Sequence, residues 1–200
     1  MGEYYNCCFL NSKKRNYPNK KKVRAYVHPN ECGCGSKLME FSWIGAKFMN
    51  IIEYFINKEH GEYAGCPVVF AGDYADCEPF KLFGEKWNIR GLGMAFSKHI
   101  VPTIEGKHYR YLINEDKKVF FDMFKVNVSK ITEWEGERKT WRVHPLAILC
   151  CDGTGRGGGS YWGSCMREVG AWKRNVVVTS DNRPNESEYR EVFYNFKERP

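Results

Sequence analysis

Two stretches of this chain run through the same features in the same order. Val27-His28-Pro29 returns as Val143-His144-Pro145. Ahead of each lies a hairpin-like string, Phe9-Leu-Asn11-Ser-Lys13-Lys14 and then Leu112-Ile-Asn114-Glu-Asp-Lys117-Lys118. Behind each comes a glycine turn, Cys32-Gly-Cys-Gly35 and then residues 153–159. A short valine strand ending in aspartate closes each stretch, residues 68–73 and 176–181. A repeated unit must bury its two copies against each other, so this order restricts the fold more than any single motif does. It predicts one domain over residues 1–200, with pseudo-repeats at 3–78 and 107–182 paired about a local two-fold axis.

The fold class implied is α+β. Hairpin and strand units build antiparallel sheet, one long buried helix lies on a face, and a short helix closes the C-terminus. Alternation and β-rich composition predict strands over 3–10, 23–27, 68–70, 109–113, 119–128, 141–151 and 176–178. Leu38, Phe41, Ile44, Phe48, Ile51, Ile52 and Phe55 recur at helical spacing, which predicts a helix over 37–57. Met39, Trp43, Met49 and Ile56 make it apolar on most sides, so it is expected between layers. Gly45 in its middle suggests close packing there. A short helix is expected near 94–99. Tyr189, Val192, Phe193 and Phe196 mark the terminal one.

Charge is concentrated in one place. The net charge is +7, from 31 basic and 24 acidic residues. Lys13, Lys14, Arg15, Lys20, Lys21, Lys22 and Arg24 carry no acid between them, and the rest of the chain balances. This is a neutral body with one basic loop. Such a loop seeks phosphate, or is simply a solvated hairpin tip. No apolar run approaches the ~20 residues of a membrane helix. The opening MGEYYNCCFLN is too polar for a signal peptide, and Asn6 breaks the myristoylation pattern after Gly2. Nine cysteines, an odd number with vicinal pairs at 7–8 and 150–151, read as free thiols of a cytoplasmic protein. His28, Cys32 and Cys34 are zinc-type donors, with Cys7 or Cys8 as a fourth. The C-x-C spacing is not that of a zinc knuckle, however, and no metal or other cofactor is expected.

The string Asp152-Gly-Thr-Gly-Arg-Gly-Gly-Gly159 is the main chemical candidate. Its exposed backbone N–H groups and the Arg156 guanidinium suit a phosphate or carboxylate. Gly155, Arg156, Gly157, Gly158 and Tyr161 are the expected contacts, joined by Lys13, Lys14, Lys21 and Lys22 from the basic loop. The loop lacks the Gly-Lys-Ser/Thr of a Walker motif and any following crossover helix. The plainer reading is a long turn. His144, Asp73 and Glu40 are candidate acid–base groups. Each could instead be structural, as a turn histidine, a cap or an ion pair.

The strings Lys37-Leu-Met-Glu40, Gly72-Asp-Tyr-Ala75, His144-Pro-Leu and Gly153-x-Gly-Arg-Gly-Gly-Gly159 resemble those of a family of small bacterial and phage proteins of unassigned function. The resemblance spans most of the chain. It implies a cytosolic accessory protein and carries over no catalytic role. The family has Asp-Tyr after the glycine loop where this chain has Ser160-Tyr161, so any role for a carboxylate there is in doubt.

Three functions are compatible with these features. The first is a binding module for a nucleotide-like molecule or a nucleic acid. The second is a hydrolase or transferase on a phosphate-containing substrate, with His144 as acid–base. The third is an interaction module that meets a host protein or a second copy of itself. None involves a membrane.

Overall fold

The computed structural model describes residues 3–11, 23–73, 97–134, 137–152 and 168–194, with backbone alone between 130 and 139. Its strands are β1 (Tyr5–Leu10), β2 (Val23–Val27), β3 (Val68–Gly72), β4 (Lys98–Ile100), β5 (Tyr111–Asn114), β6 (Val119–Asp122), β7 (Lys130–Trp134), β8 (Glu137–Trp141), β9 (Cys151–Asp152), β10 (Val177–Ser180) and β11 (Arg190–Glu191). Its α-helices are α1 (Leu38–Phe41), α2 (Lys47–Phe55) and α3 (Pro145–Leu149). The fold is α+β. One sheet has the order β4-β2-β1-β3-β9, a second the order β10-β5-β6-β11, and β7-β8 form a separate hairpin.

The two larger sheets take the same path. In each, a hairpin (β1–β2, β5–β6) is extended by an antiparallel strand on its first member (β3, β10) and a parallel strand on its second (β4, β11). Both sheets are therefore mixed, where the sequence suggested purely antiparallel ones. The hydrogen bonds leading into β3 and β10 also correspond. Tyr63 N–H donates to Phe55 O at 2.9 Å, as Trp172 N–H does to Leu149 O at 2.7 Å. Cys66 N–H donates to Tyr63 O at 3.0 Å, as Asn175 N–H does to Trp172 O at 2.9 Å. Gly65 and Arg174 hold the same left-handed corner, at φ 83° and 63°.

Each helix is followed by chain that joins the other half's sheet. After α3, β9 lies parallel to β3, with Phe70 N–H on Cys150 O at 2.9 Å. After α2, Asn57 bridges Thr179 of β10 in parallel, with Thr179 N–H on Ile56 O at 3.2 Å. Antiparallel bridges Pro67–Val176 and Trp43–Val143 tie the halves together. The difference between the halves lies in one connection. Gly61 follows Ile56 by five positions and Gly170 follows Cys150 by twenty, so the second half carries fifteen more residues there. The glycine-rich string falls within this excess.

The long helix expected over 37–57 is broken. Ser42 N–H still donates to Leu38 O at 3.1 Å, joined there by Ser42 Oγ, but Trp43 Nε1 donates to Met39 O at 2.6 Å and takes the carbonyl that the next helical bond would use. Gly45 then turns the chain at φ 86°, and Ile44 N–H pairs with Arg142 O. The strand expected over 141–151 is α3 instead. Pro145 occupies its first position and His144 caps it, and a short run buried on all sides looks the same to periodicity as a strand. Lys98–Ile100 is β4, where a helix was expected near 94–99. Residues 182–194 form turns and β11 and no helix; Phe196 lies outside the described residues. The two His-Pro dipeptides are not counterparts either. His28 opens a 3₁₀ turn (Pro29–Cys32) directly after β2, a place held after β6 by Asp122 ahead of Met123–Lys125.

One apolar cluster joins the inward faces of both sheets to the helices. It includes Cys7, Phe9 and Val27, then Phe41, Phe48, Ile52 and Leu146, then Leu112, Phe121 and Val177. Smaller clusters lie on the outer faces, Cys8, Leu10 and Val69 on one sheet, Ile113, Phe120 and Val178 on the other. No helix among the described residues is long and apolar enough to cross a membrane. The seven described cysteines are free, and burial pushes the Cys32 thiol up to about 11 and the Cys151 thiol up to about 12.

Candidate functional site

Two polar clusters stand out, one in each sheet, at the carboxyl end of the strand that extends the hairpin. The first is at the ends of β3 and β9. Parallel strands end side by side there, and the ends of such strands are where open mixed sheets place ligands. Asp73 Oδ1 accepts from Tyr4 N–H at 3.0 Å. Asp152 accepts from Lys173 Nζ at 3.2 Å and Arg174 Nη2 at 2.9 Å, and buried Glu3 lies against Gly72. Arg174 holds a left-handed backbone that glycine takes at the matching corner, a cost of about 1 kcal/mol that its side chain must offset. The glycine-rich string leaves from Asp152.

The second cluster is a buried carboxylate between two imidazoles. Glu53 lies on the inward face of α2, with its side chain 1% exposed. Its Oε1 accepts from His144 Nε2 at 2.8 Å and from His108 Nδ1 at 2.8 Å, and its Oε2 from Tyr109 N–H at 2.8 Å. His144 is fully buried, and its Nδ1 accepts from Leu146 N–H at 3.2 Å, as an N-cap does. That bond fixes the tautomer: Nδ1 is bare and Nε2 carries the proton given to Glu53. Burial holds the His144 imidazole below its ordinary range, so it stays neutral. Burial alone would raise Glu53, but the two imidazoles that donate to it outweigh that and hold the carboxyl below its ordinary range.

Glu53, His108 and His144 are the one group of three among the described residues whose donor atoms converge within 4.8 Å. Two imidazoles and a carboxylate make a common set for a transition metal. The tautomer argues against one here. A metal on His144 Nε2 would move the ring proton to Nδ1, which already faces the Leu146 N–H, whereas ligating histidines donate their second N–H.

The acid–base residues picked from sequence do not meet. Glu40 Oε2 caps α1 by accepting Lys37 N–H at 2.9 Å, Asp73 ties β1 to β3, and the carboxylate on His144 is Glu53. Full burial keeps His144 from exchanging protons with a substrate directly. His28 Nδ1 contacts Asn6 Oδ1, Cys34 Sγ donates to Cys32 O at 3.9 Å, and these three residues form no convergent donor set. Lys13, Lys14, Lys21, Lys22, Gly155, Arg156, Gly157, Gly158 and Tyr161 lie outside the described residues.

Glu53 and His108 were missed from sequence, although a signal for Glu53 was present. It sits in Ile51-Ile52-Glu53-Tyr54-Phe55-Ile56, where an inward carboxylate needs buried donors. Comparison of the chain with protein-family models, curated proteins and solved structures gave no match.

Proposed function

We propose that the protein binds a phosphate-bearing ligand, a nucleotide-like molecule or a nucleic acid, at the carboxyl ends of β3 and β9. The observation that supports this most is the Asp152–Lys173–Arg174 cluster at the foot of the glycine-rich string. Two cations there share one carboxylate, and Arg156 follows Asp152 by four positions in the sequence. Phosphate oxygens are good acceptors for such guanidinium and backbone N–H groups. The shared strand order and matching hydrogen bonds lead us to infer that the two halves are copies of one unit. On that reading the fifteen extra residues are an addition that serves the ligand rather than the fold.

Titration with nucleotides and with a short RNA at two salt concentrations tests the reading. Affinity should fall steeply with salt, and Arg156→Ala should weaken binding at least tenfold. A ligand neutralised by two or three cations implies a log–log slope of about −1.4 to −2 for a single strand. Affinity indifferent to both salt and Arg156→Ala would refute the proposal.

A further inference from the structure

The Pro67–Val176 bridge stands just before β3 and β10, and the two strands run apart from it. The Glu53 cluster, beside β10, is therefore separate from Asp152, beside β3, and a role for it does not depend on the phosphate reading. We propose that His108 is an acid–base group for ester hydrolysis, oriented by Glu53, with His144 as the residue that positions Glu53.

The clamp on His108 is unusually complete. Lys107 N–H donates to Asn50 O at 3.2 Å and Tyr109 N–H to Glu53, so α2 holds the backbone on both sides of it. Gly106, at φ 68°, packs so closely on α2 that a Cβ would come within 2.6 Å of Asn50 and Ile51 backbone. The ring is then fixed by two contacts from Nδ1 to the Glu53 carboxylate, at 2.8 and 3.1 Å. Its side chain is 23% exposed, and Nε2 has no hydrogen-bond partner among the described residues. A carboxylate on Nδ1–H with Nε2 open is the arrangement of a base held in one tautomer by an orienting acid. His144 supplies what keeps the acid ionised: it donates to Glu53 and, being locked neutral, does not compete for a second proton.

The charged and titratable groups around the ring come from three places. Glu53 faces it from α2, His144 from the cap of α3, and Lys107, Tyr109 and Asp181 from its own segment and the end of β10. Lys107 Nζ pairs with Asp181 and is the cation nearest in sequence to the reacting nitrogen. In the step itself, water oxygen bonds to the ester centre as Nε2 takes one water proton. The bond to the leaving oxygen then breaks, and Nε2 returns the proton to that oxygen. The Nδ1 proton stays on its bond to Glu53, whose charge stabilises the transient imidazolium.

The probes are p-nitrophenyl acetate and p-nitrophenyl phosphate, which separate an acyl from a phosphoryl preference. With the full chain, one of them should turn over faster than with the same concentration of free imidazole. His108→Gln should lower that rate at least tenfold. Glu53→Gln should lower the rate at least tenfold as well, because the anion that stabilises the transient imidazolium is gone, while Glu53→Asp should restore part of it. If Glu53→Gln does not fold, diethyl pyrocarbonate on the native chain replaces it: His108 should be modified with loss of activity while His144 is not. The proposal is overturned by rates no better than free imidazole, by a His108→Gln protein that keeps its rate, by a folded Glu53→Gln protein that keeps its rate, by modification of His144 first, or by a stoichiometric metal ion that His108→Gln releases.

Discussion

Glu53→Ala should destabilise the protein by about 3–5 kcal/mol, as loss of one partner from a buried charged network does. The truncation strands His144 Nε2–H and the Tyr109 N–H, both of which donate to that carboxylate. Each is too deep for water to replace it, and each stranded donor costs about 1–3 kcal/mol. It also cuts the link between α2, the cap of α3 and the segment before β5, so the loss should appear as a lower urea midpoint with the slope nearly unchanged. A shift under 1 kcal/mol would mean that the network does not hold the native state.

The same network sets the acid limit of stability. His144 would ordinarily titrate near 6.5 and is held lower in the fold. Below 6.5 the unfolded chain therefore binds a proton that the folded chain refuses, and stability falls. Glu53, ordinarily near 4.5, is also held lower, so its contribution is present above that value and is lost as pH drops toward the folded one. Stability should decline in the native protein from about pH 6.5 downward.

Trp172→Ala should cost about 3–5 kcal/mol, the range for emptying a large aromatic site in a close-packed core. Trp172 is 1% exposed, and its backbone ties the corner before β10 to the end of α3. Tyr63 holds the matching place in the first half, also 1% exposed and stacked on Phe9 at 4.4 Å. The two positions share one structural task, so Tyr63→Ala should cost a similar amount in the same denaturation experiment. A Trp172→Ala loss within the ~0.5 kcal/mol typical of surface changes would show that the corner carries no packing load.

What the sequence disclosed depended on how local each signal was. The hairpin strands and the strand at 68–72 were legible because alternation and bounding turns are local. The order of features also pointed to paired halves, yet the strings used as markers are not in register. By strand pairing Phe9, opposite Ala25 and Val68, corresponds to Asn114, opposite Val119 and Val177. The helix break after Ser42 was hidden, because its cause is the Trp43 side chain on the Met39 carbonyl and a bridge to residue 143. The Glu53 cluster was hidden for the same reason. Its members stand at positions 53, 108 and 144, brought together by α2, the segment before β5 and the cap of α3. Attention to carboxylates in apolar helices fell on Glu40, which caps its own helix, instead of Glu53, whose neighbours are all apolar or aromatic.

The proton arrangement around Glu53 can be read directly from the imidazole nitrogens by ¹⁵N NMR across pH 5 to 8. The hydrogen bonds of the cluster require His144 to show a bare Nδ1 and a protonated Nε2 throughout, with no titration. A His144 ring that titrates with the solvent, carries its proton on Nδ1, or shows the shifts of a metal-bound nitrogen would contradict it.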